Sequence, residues 1–209
     1  MKPILFSTPM VQAILSGRKT MTRRVVKPDI VNRFDICPVD GPIAYIDQAT
    51  GDSYPPTAVA PYCVCDILWV RETWGIGIQI AGGIIYKADY TIKAPLADGE
   101  KWRPSIFMPR NAARIFLRVT DVRAERLQDI SVQDAKDEGI RVHANGCKDG
   151  LAFGCYNGDN CVYNKCKRPI EYFHELWDSI NFKRGYGWDT NPWVWVISFE
   201  RCEKQEVQL

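Results

Sequence analysis

The sequence predicts an α+β fold, in which a mixed or antiparallel β-sheet closes into a barrel with flanking helices and two loop insertions. Five or six short runs have the character of strands, and two or three segments have helical periodicity. Strands and helices do not alternate one for one, which disfavours a parallel sheet. A chain of 209 residues with 46% hydrophobic residues can bury one core, so we expect a single domain over residues 1–209.

The N-terminal elements are a strand, a helix and a basic segment. Residues 3–6 form a short apolar strand. Thr8 is placed to cap the helix, Pro9 takes its favoured first position, and Gly17 ends it. The chain then enters residues 17–24, Gly-Arg-Lys-Thr-Met-Thr-Arg-Arg, with four cations and two hydroxyl groups.

The later elements are four strands and two helices. The strands are expected at residues 67–70, 84–88, 114–122 and 194–199. Asp129 or Ser131 caps a short helix that runs through Glu138 and ends at Gly139. Pro169 starts the other helix. Its apolar stripe, which we expect to be buried, comprises Phe173, Leu176, Trp177 and Ile180.

Two segments are predicted insertions. Prolines and glycines interrupt residues 28–61, for which we expect a long excursion with at most one hairpin near residues 43–46. Residues 143–168 are rich in glycine, asparagine and cysteine.

Charge and hydropathy bound the functional classes. The net charge is only +2, so a site for nucleic acid must come from local clustering of cations. No run approaches the roughly 20 apolar residues that span a bilayer, and no secretory signal is visible. We therefore expect a soluble, cytoplasmic protein without a membrane partner, whose eight cysteines are thiols or metal ligands.

The basic segment is the strongest candidate site. Arg18, Lys19, Arg23 and Arg24 form a cationic patch suited to substrate phosphate. Crowded cations lower the pKa of a lysine, so that Lys19 can serve as a base and Thr22 as a nucleophile. In a regular strand, residues 19 and 22 point to opposite faces, so their cooperation needs a bulge or a turn. The alternative is a solvated basic stretch after a helix.

Four blocks of sequence carry a resemblance to a known family. They are residues 3–28 with Gly-Arg-Lys-Thr, residues 66–74 (Asp-Ile-Leu-Trp-Val-Arg-Glu-Thr-Trp), residues 102–111 (Trp-Arg-Pro-Ser-Ile-Phe-Met-Pro-Arg-Asn), and residues 176–199 with Asn-Pro-Trp-Val-Trp-Val-Ile. In this order they resemble ASCH-domain proteins, in particular the longer members from bacteriophages and prophages. The chain departs from those relatives at Cys65, where they usually carry glycine.

The resemblance implies a PUA-like barrel that binds RNA, a nucleotide or a modified nucleoside. Smaller ASCH proteins include an amidohydrolase that removes the acetyl group from N4-acetylcytidine, and Lys19, Thr22 and Glu138 occupy its three catalytic positions by resemblance. Arg24 would steady the oxyanion of that reaction. Other ASCH proteins have been assigned ribonuclease activity. No cofactor is implied for the chemistry.

Three further residues are candidates for substrate binding. Glu72 directly follows a predicted buried strand, and exposed rings of Trp74 and Trp188 would stack bases for about 1–3 kcal/mol each. The alternative for both tryptophans is packing in the core or in loops. The alternative for Glu72 is an ion pair with Arg71, Arg103 or Arg110.

The second insertion holds four cysteines, Cys147, Cys155, Cys161 and Cys166. A bound structural zinc would order a loop so poor in apolar residues, with His143 as a spare ligand. No Cys-x-x-Cys pair occurs, so separate thiols or disulfides stay open as alternatives.

These features leave three functions open. The first is an enzyme, either an amidohydrolase of the N4-acetylcytidine type or a ribonuclease. The second is a non-catalytic module that holds RNA or a nucleotide. The third is a phage protein that acts on a host factor, which only the insertions favour. The sequence does not decide between them, nor does it give the oligomeric state.

Overall fold

The computed structural model describes residues 1–37, 44–77, 83–90, 101–140 and 168–203. The chain forms two compact units. Unit 1 comprises Met1–Gly17, Val64–Thr120 and Phe199–Leu209, and unit 2 comprises Arg18–Cys63 and Asp121–Ser198. Lys19, Thr22 and Glu138 therefore belong to unit 2, whereas Glu72 and Trp74 belong to unit 1.

The elements confirm the α+β class. The strands of the described residues are β1 Lys2–Leu5, β2 Met21–Val25, β3 Phe34–Cys37, β4 Ala44–Asp47, β5 Ser53–Tyr54, β6 Ile67–Arg71, β7 Trp74–Gly77, β8 Gly83–Tyr86, β9 Phe116–Arg126 and β10 Trp193–Cys202. The α-helices there are α1 Thr8–Leu15, α2 Pro28–Arg33, α3 Pro56–Val59, α4 Val132–Asp137 and α5 Pro169–Asn181. Strand pairing is mainly antiparallel, although β1 and β6 run parallel. Among these described helices, none is both long and apolar enough to cross a bilayer.

Unit 1 is built on the strand order β1-β6-β9-β10. Ile4 lies opposite Val70 in the parallel pair, and Leu68 lies opposite Leu117 in the antiparallel pair β6–β9. Strands β9 and β10 each contribute residues to both units. One hydrophobic cluster of unit 1 includes Trp69, Trp74, Met108 and Phe116.

In unit 2, different elements pack against the two faces of the antiparallel pair β2–β10. Thr22 lies opposite Ile197, and Arg24 lies opposite Trp195, so these four residues share one face. On that face, the ring of Tyr45 from β4 lies 5.5 Å from the ring of Trp195. The other face packs against α4 and α5 in a cluster that includes Met21, Val194, Val196, Ala135, Phe173 and Trp177.

The prediction that residues 28–61 form an excursion with at most one hairpin is wrong. Helix α2 begins at Pro28, and β3, β4 and β5 form an antiparallel sheet. A tight turn joins β4 to β5, in which Oδ1 of Asp47 accepts the backbone N–H of Ala49 at 2.9 Å and Gly51 has a φ of 76°. Tyr45 of β4 is fully buried, and the prolines and glycines of residues 28–61 hide these short elements in the sequence.

The predicted closure into a barrel is not found in the described residues of either unit. Closure requires the two terminal strands to hydrogen-bond to each other. In unit 1 the strand order ends at β1, and in unit 2 it ends at β2. Immediately before β2, the backbone of Lys19 bridges to Glu138 at the end of α4 instead of to another strand.

The predicted helix ends agree closely with the structure. Ser131 caps α4, and the glycine after this helix, Gly139, has a φ of 94°. Ser7 occupies the N-cap position of α1 without a side-chain hydrogen bond, one residue before the predicted cap. The prediction that Ile180 is buried is wrong, since it is 46% exposed and Asn181 takes the buried position in the last turn of α5.

Cys65 occupies a backbone conformation that favours glycine. Its φ is 70°, in the left-handed region where a Cβ is disfavoured. We expect Cys65→Gly to raise the free energy of unfolding by about 1 kcal/mol, measured by urea denaturation. The matched control is Cys65→Ala, which removes the exposed thiol but keeps the Cβ, and should give no gain. An equal gain in both variants would attribute the effect to the thiol instead of the backbone.

Candidate functional site

Two glycine turns bring the basic segment beside the end of α4. Gly17 ends α1 with a φ of 73°, and Gly139 follows α4 with a φ of 94°. Glycine adopts this left-handed conformation without a Cβ clash. Next to these turns, Lys19 and Glu138 form an antiparallel backbone bridge, although 119 positions separate them in sequence.

The Lys19 ammonium group is enclosed by three oxygen acceptors. Its Nζ lies 2.5 Å from Oε2 of Glu138, 2.9 Å from the carbonyl oxygen of Glu138 and 2.8 Å from that of Met21. Lys19 is 2% exposed and Glu138 is 5% exposed. Three acceptors match the three protons of the charged form. Burial nevertheless lowers the pKa of Lys19, a shift that Glu138 opposes and the charges of Arg24 and Arg23 reinforce.

The two carboxylate oxygens of Glu138 differ in their environment. Oε2 receives the Lys19 contact, whereas Oε1 has no hydrogen-bond donor in the described part of the chain. Nη1 of Arg23 lies 3.6 Å from Oε1, which permits charge attraction but is too long for a hydrogen bond. A buried polar atom without a hydrogen-bond partner lowers the stability of the fold by about 1–3 kcal/mol. A ligand that donates a hydrogen bond to Oε1 would therefore gain binding energy.

Arg23 is a buried cation shared by three carboxylates. Its Nη2 lies 2.5 Å from Oε1 of Glu125 and 3.0 Å from Oδ2 of Asp134, and its Nη1 approaches Glu138. Burial alone would raise the pKa of Asp134, but hydrogen bonds from Ser131 and the charge of Arg23 outweigh it and hold that pKa below its usual value. Arg23, a predicted substrate-binding residue, thus holds the acids of unit 2 in place.

On the opposite face of β2, Arg24 contacts the proposed nucleophile. Nη1 of Arg24 donates to Oγ1 of Thr22 at 2.6 Å. In this hydrogen bond Oγ1 is the acceptor, so the hydroxyl group of Thr22 can still donate its own proton to another group. Burial lowers the pKa of Arg24, and the charge of Glu138 opposes this shift. Because the charges of Arg24, Glu138 and Lys19 interact, residues from both faces of β2 form one electrostatic site.

Carboxylates engage two cations of the predicted patch. Lys19 pairs with Glu138, and Arg23 pairs with Glu125 and Asp134 and lies 3.6 Å from Glu138. Arg24 contacts Thr22, and its charge is opposed by that of Glu138. Arg18, the remaining cation of the segment, donates to the carbonyl oxygen of Gly139 at 2.9 Å. This arrangement offers a phosphate much less positive charge than the sequence implies.

Trp188 is packed within unit 2. Its ring stacks on that of His174 at 4.9 Å and meets the ring of Phe173 edge-on at 6.3 Å. Its backbone N–H donates to Oδ1 of Asp178 at 2.7 Å. These contacts match the packing alternative, and base stacking by Trp188 stays a prediction.

Glu72 and Trp74 belong to a separate cluster in unit 1. Glu72 is buried and forms a two-pronged ion pair with Arg114, at 2.9 Å from Nε and 3.1 Å from Nη2. Burial raises the pKa of Glu72, and Arg114 opposes the shift. Glu72 thus forms an ion pair, as one alternative predicts, but its partner is Arg114 and not one of the three predicted arginines, Arg71, Arg103 or Arg110. Trp74 is 6% exposed, with the Arg103 guanidinium 5.0 Å from its ring centre, so in this state its ring is not open to a base.

The proposed zinc ligands lie outside the described residues. This applies to His143 and to all four cysteines of the segment, Cys147, Cys155, Cys161 and Cys166. Within the described ranges, no group of three or more His, Cys, Asp or Glu side chains is arranged to hold a metal ion. The structural zinc stays a prediction.

Sequence reasoning missed three charged residues, Glu125 and Asp134 in unit 2 and Arg114 in unit 1. The spacing Ser131-x-x-Asp134 is that of a capping box and could have placed Asp134 at the start of α4. Glu125 has no comparable local signal, because Arg23 is 102 positions away from it.

Searches of this chain against protein-family models, curated proteins and solved structures returned no match. The resemblance of the four sequence blocks therefore stays an inference from their residues. The geometry of the unit 2 site is the basis for assigning a function.

Proposed function

We propose that this chain is an ASCH-domain protein with a PUA-like fold that recognises a nucleoside and hydrolyses an amide on its base, such as that of N4-acetylcytidine. The observation that carries the proposal is the buried pair of Lys19 and Glu138. Their charges interact with that of Arg24, which donates a hydrogen bond to the Thr22 hydroxyl. Perturbed titratable groups of this kind are concentrated at functional sites. The resemblance of the four sequence blocks supplies the family and the substrate class.

The conformation of Cys65 supports the family assignment from a second direction. Relatives usually carry glycine at this position, and the φ of 70° is one that glycine adopts most easily. A turn inherited from a glycine-bearing relative would leave a cysteine in this conformation.

In the proposed reaction, Oγ1 of Thr22 attacks the acyl carbon while neutral Lys19 takes the hydroxyl proton. Arg24 stabilises the negative charge that develops on the acyl oxygen. The C–N bond then breaks, and the leaving nitrogen receives the proton through Lys19 or Glu138. Water hydrolyses the acyl-threonine ester, which releases the carboxylic acid and restores the hydroxyl group.

A second function, non-catalytic binding of RNA or a nucleotide, is favoured by one observation. The three acceptors around Lys19 match an ammonium group, which cannot act as a base. A site in this state would hold a ligand without turnover. Its affinity for RNA should fall as salt rises, because phosphate contacts release counterions.

Hydrolysis of N4-acetylcytidine by the purified protein tests the first function. We expect cytidine and acetate to form in equal amounts, as measured by chromatography. Thr22→Val replaces the hydroxyl with a methyl group of similar size and should lower kcat/KM at least about 100-fold.

The matched control is Thr20→Val, at an exposed threonine two residues away, which should keep full activity. Undiminished hydrolysis by Thr22→Val would remove Thr22 from the mechanism. A folded wild type that binds RNA in a salt-dependent way without hydrolysing N4-acetylcytidine would establish the second function instead.

A further inference from the structure

The hydrogen-bonding groups around Lys19 and Glu138 leave one buried acceptor without a donor. The Lys19 ammonium already has three acceptors. The Nε and Nη2 groups of Arg23 are directed at Glu125 and Asp134, and its Nη1 lies 3.6 Å from Oε1 of Glu138, beyond hydrogen-bond distance. Oε1 of Glu138 is buried and lacks a donor in the described part of the chain. A ligand that completes this cluster must therefore bring a donor.

The charge of the cluster points to the same type of ligand. Glu138 faces an ammonium whose protons are satisfied, which is the arrangement of an ionised carboxylate. A phosphate or carboxylate of a ligand would bring a second negative charge against Oε1, and the two anions would repel each other. A neutral N–H group satisfies the carboxylate without adding negative charge.

We propose that Oε1 of Glu138 receives an N–H group on the exocyclic nitrogen of the ligand's base, so that the buried end of this site selects for this N–H and not for phosphate. The identity of the ligand as a cytidine-type nucleoside rests on the proposed function, whereas the selection itself does not require turnover. A base whose exocyclic nitrogen carries two alkyl groups cannot make this contact and binds weakly.

A series of three nucleosides tests this selection, with the Kd of each for the wild-type protein measured by calorimetry. Cytidine and N4-methylcytidine both keep an N–H group, whereas N4,N4-dimethylcytidine has none. The difference in Kd between cytidine and N4-methylcytidine measures the effect of size, because both ligands keep an N–H group. We expect the Kd to rise roughly 10- to 100-fold between the monomethyl and dimethyl ligands, as a hydrogen bond to a charged acceptor is lost.

Two glutamine variants separate the hydrogen bond from a steric clash. Glu138→Gln keeps the shape of the side chain but removes its charge, and should shrink the gap between the two methylated ligands to a few-fold. Glu125→Gln changes another carboxylate on Arg23 and should keep the gap. A clash would give the same gap in all three proteins, which would overturn the inference. Displacement of cytidine by inorganic phosphate at constant ionic strength would also overturn it.

The outcomes separate this inference from the proposed function. A gap that depends on Glu138, together with no hydrolysis of N4-acetylcytidine, would keep the inference and remove the catalytic proposal. Hydrolysis without such a gap would do the reverse. If none of the three nucleosides binds, both the nucleoside assignment and the inference fail.

Discussion

Replacing Lys19 with methionine is expected to lower turnover sharply and to destabilise the fold. Loss of the base should lower kcat/KM by about 100- to 10,000-fold, measured with N4-acetylcytidine. The variant also leaves the Glu138 carboxylate buried without its closest cation, and breaking a buried pair costs about 3–5 kcal/mol. Urea denaturation measures this second effect.

Lys19 should also make both the activity and the stability of the wild-type protein depend on pH. Because burial lowers the pKa of Lys19 from 10.5, the neutral fraction and kcat/KM should rise with pH and level off below that value. Between the folded-state pKa and 10.5, the unfolded chain binds a proton that the folded chain does not. Stability should therefore rise with pH across this window, and Lys19→Met should remove that rise.

Two further variants separate chemistry from folding at this site. Lys27→Met alters an exposed lysine eight positions away and should change neither activity nor stability. The double variant Lys19→Met/Glu138→Gln no longer buries a carboxylate without its lysine, so it should recover part of the lost stability without any turnover. Full activity in either protein that lacks Lys19 would exclude it as the base.

Replacing Arg23 with methionine is the second change with a large expected effect, of about 3–5 kcal/mol on the free energy of unfolding. The variant leaves Glu125, Asp134 and Glu138 without the cation that they share. The carboxylates can take up protons at low pH, so the loss should be largest near pH 7 and smaller towards pH 4. In the wild type, the lowered pKa of Asp134 contributes stability that is present above 3.8 and is lost as the pH falls through the folded-state value.

Arg123 provides the matched control for this measurement. It contacts Glu125 at 3.2 Å and Asp134 at 3.6 Å, but its side chain is 35% exposed. Exposed ion pairs contribute about 0–1 kcal/mol, so Arg123→Met should be nearly neutral. Similar losses in Arg23→Met and Arg123→Met would show that burial does not decide the strength of this network.

The sequence predicts helix ends better than it predicts partners. Ser131, one of the two predicted caps, and Gly139 have local signals, a cap and a left-handed glycine, and they flank α4 in the structure. Strand β2, in which alternation separates Arg23 from Thr22 and Arg24, is not predicted from the sequence. Nothing in that alternation indicates that Arg23 meets Glu125, because the contact depends on how β9 packs in unit 2.

The pairing of Lys19 with Glu138 is a different case. Composition and periodicity favour a solvated basic stretch, and only the resemblance to ASCH-domain proteins put these two residues in one site. Nζ of Lys19 lies 2.5 Å from Oε2 of Glu138, but both residues are buried beside the ion pairs of Arg23. This network could not be foreseen, since Glu125 and Asp134 come from β9 and α4, far along the chain.

The burial of the site limits the rate at which a ligand can associate with it. Lys19, Thr22 and Glu138 each expose 5% or less of their surface, and Tyr45 packs on Trp195 on the face of β2 and β10 that carries Thr22. We therefore expect a ligand to reach Thr22 through local opening of unit 2. The apparent Kd is then the intrinsic Kd divided by the fraction of time spent open. Association is correspondingly slower than diffusional encounter, whatever the chemistry that follows.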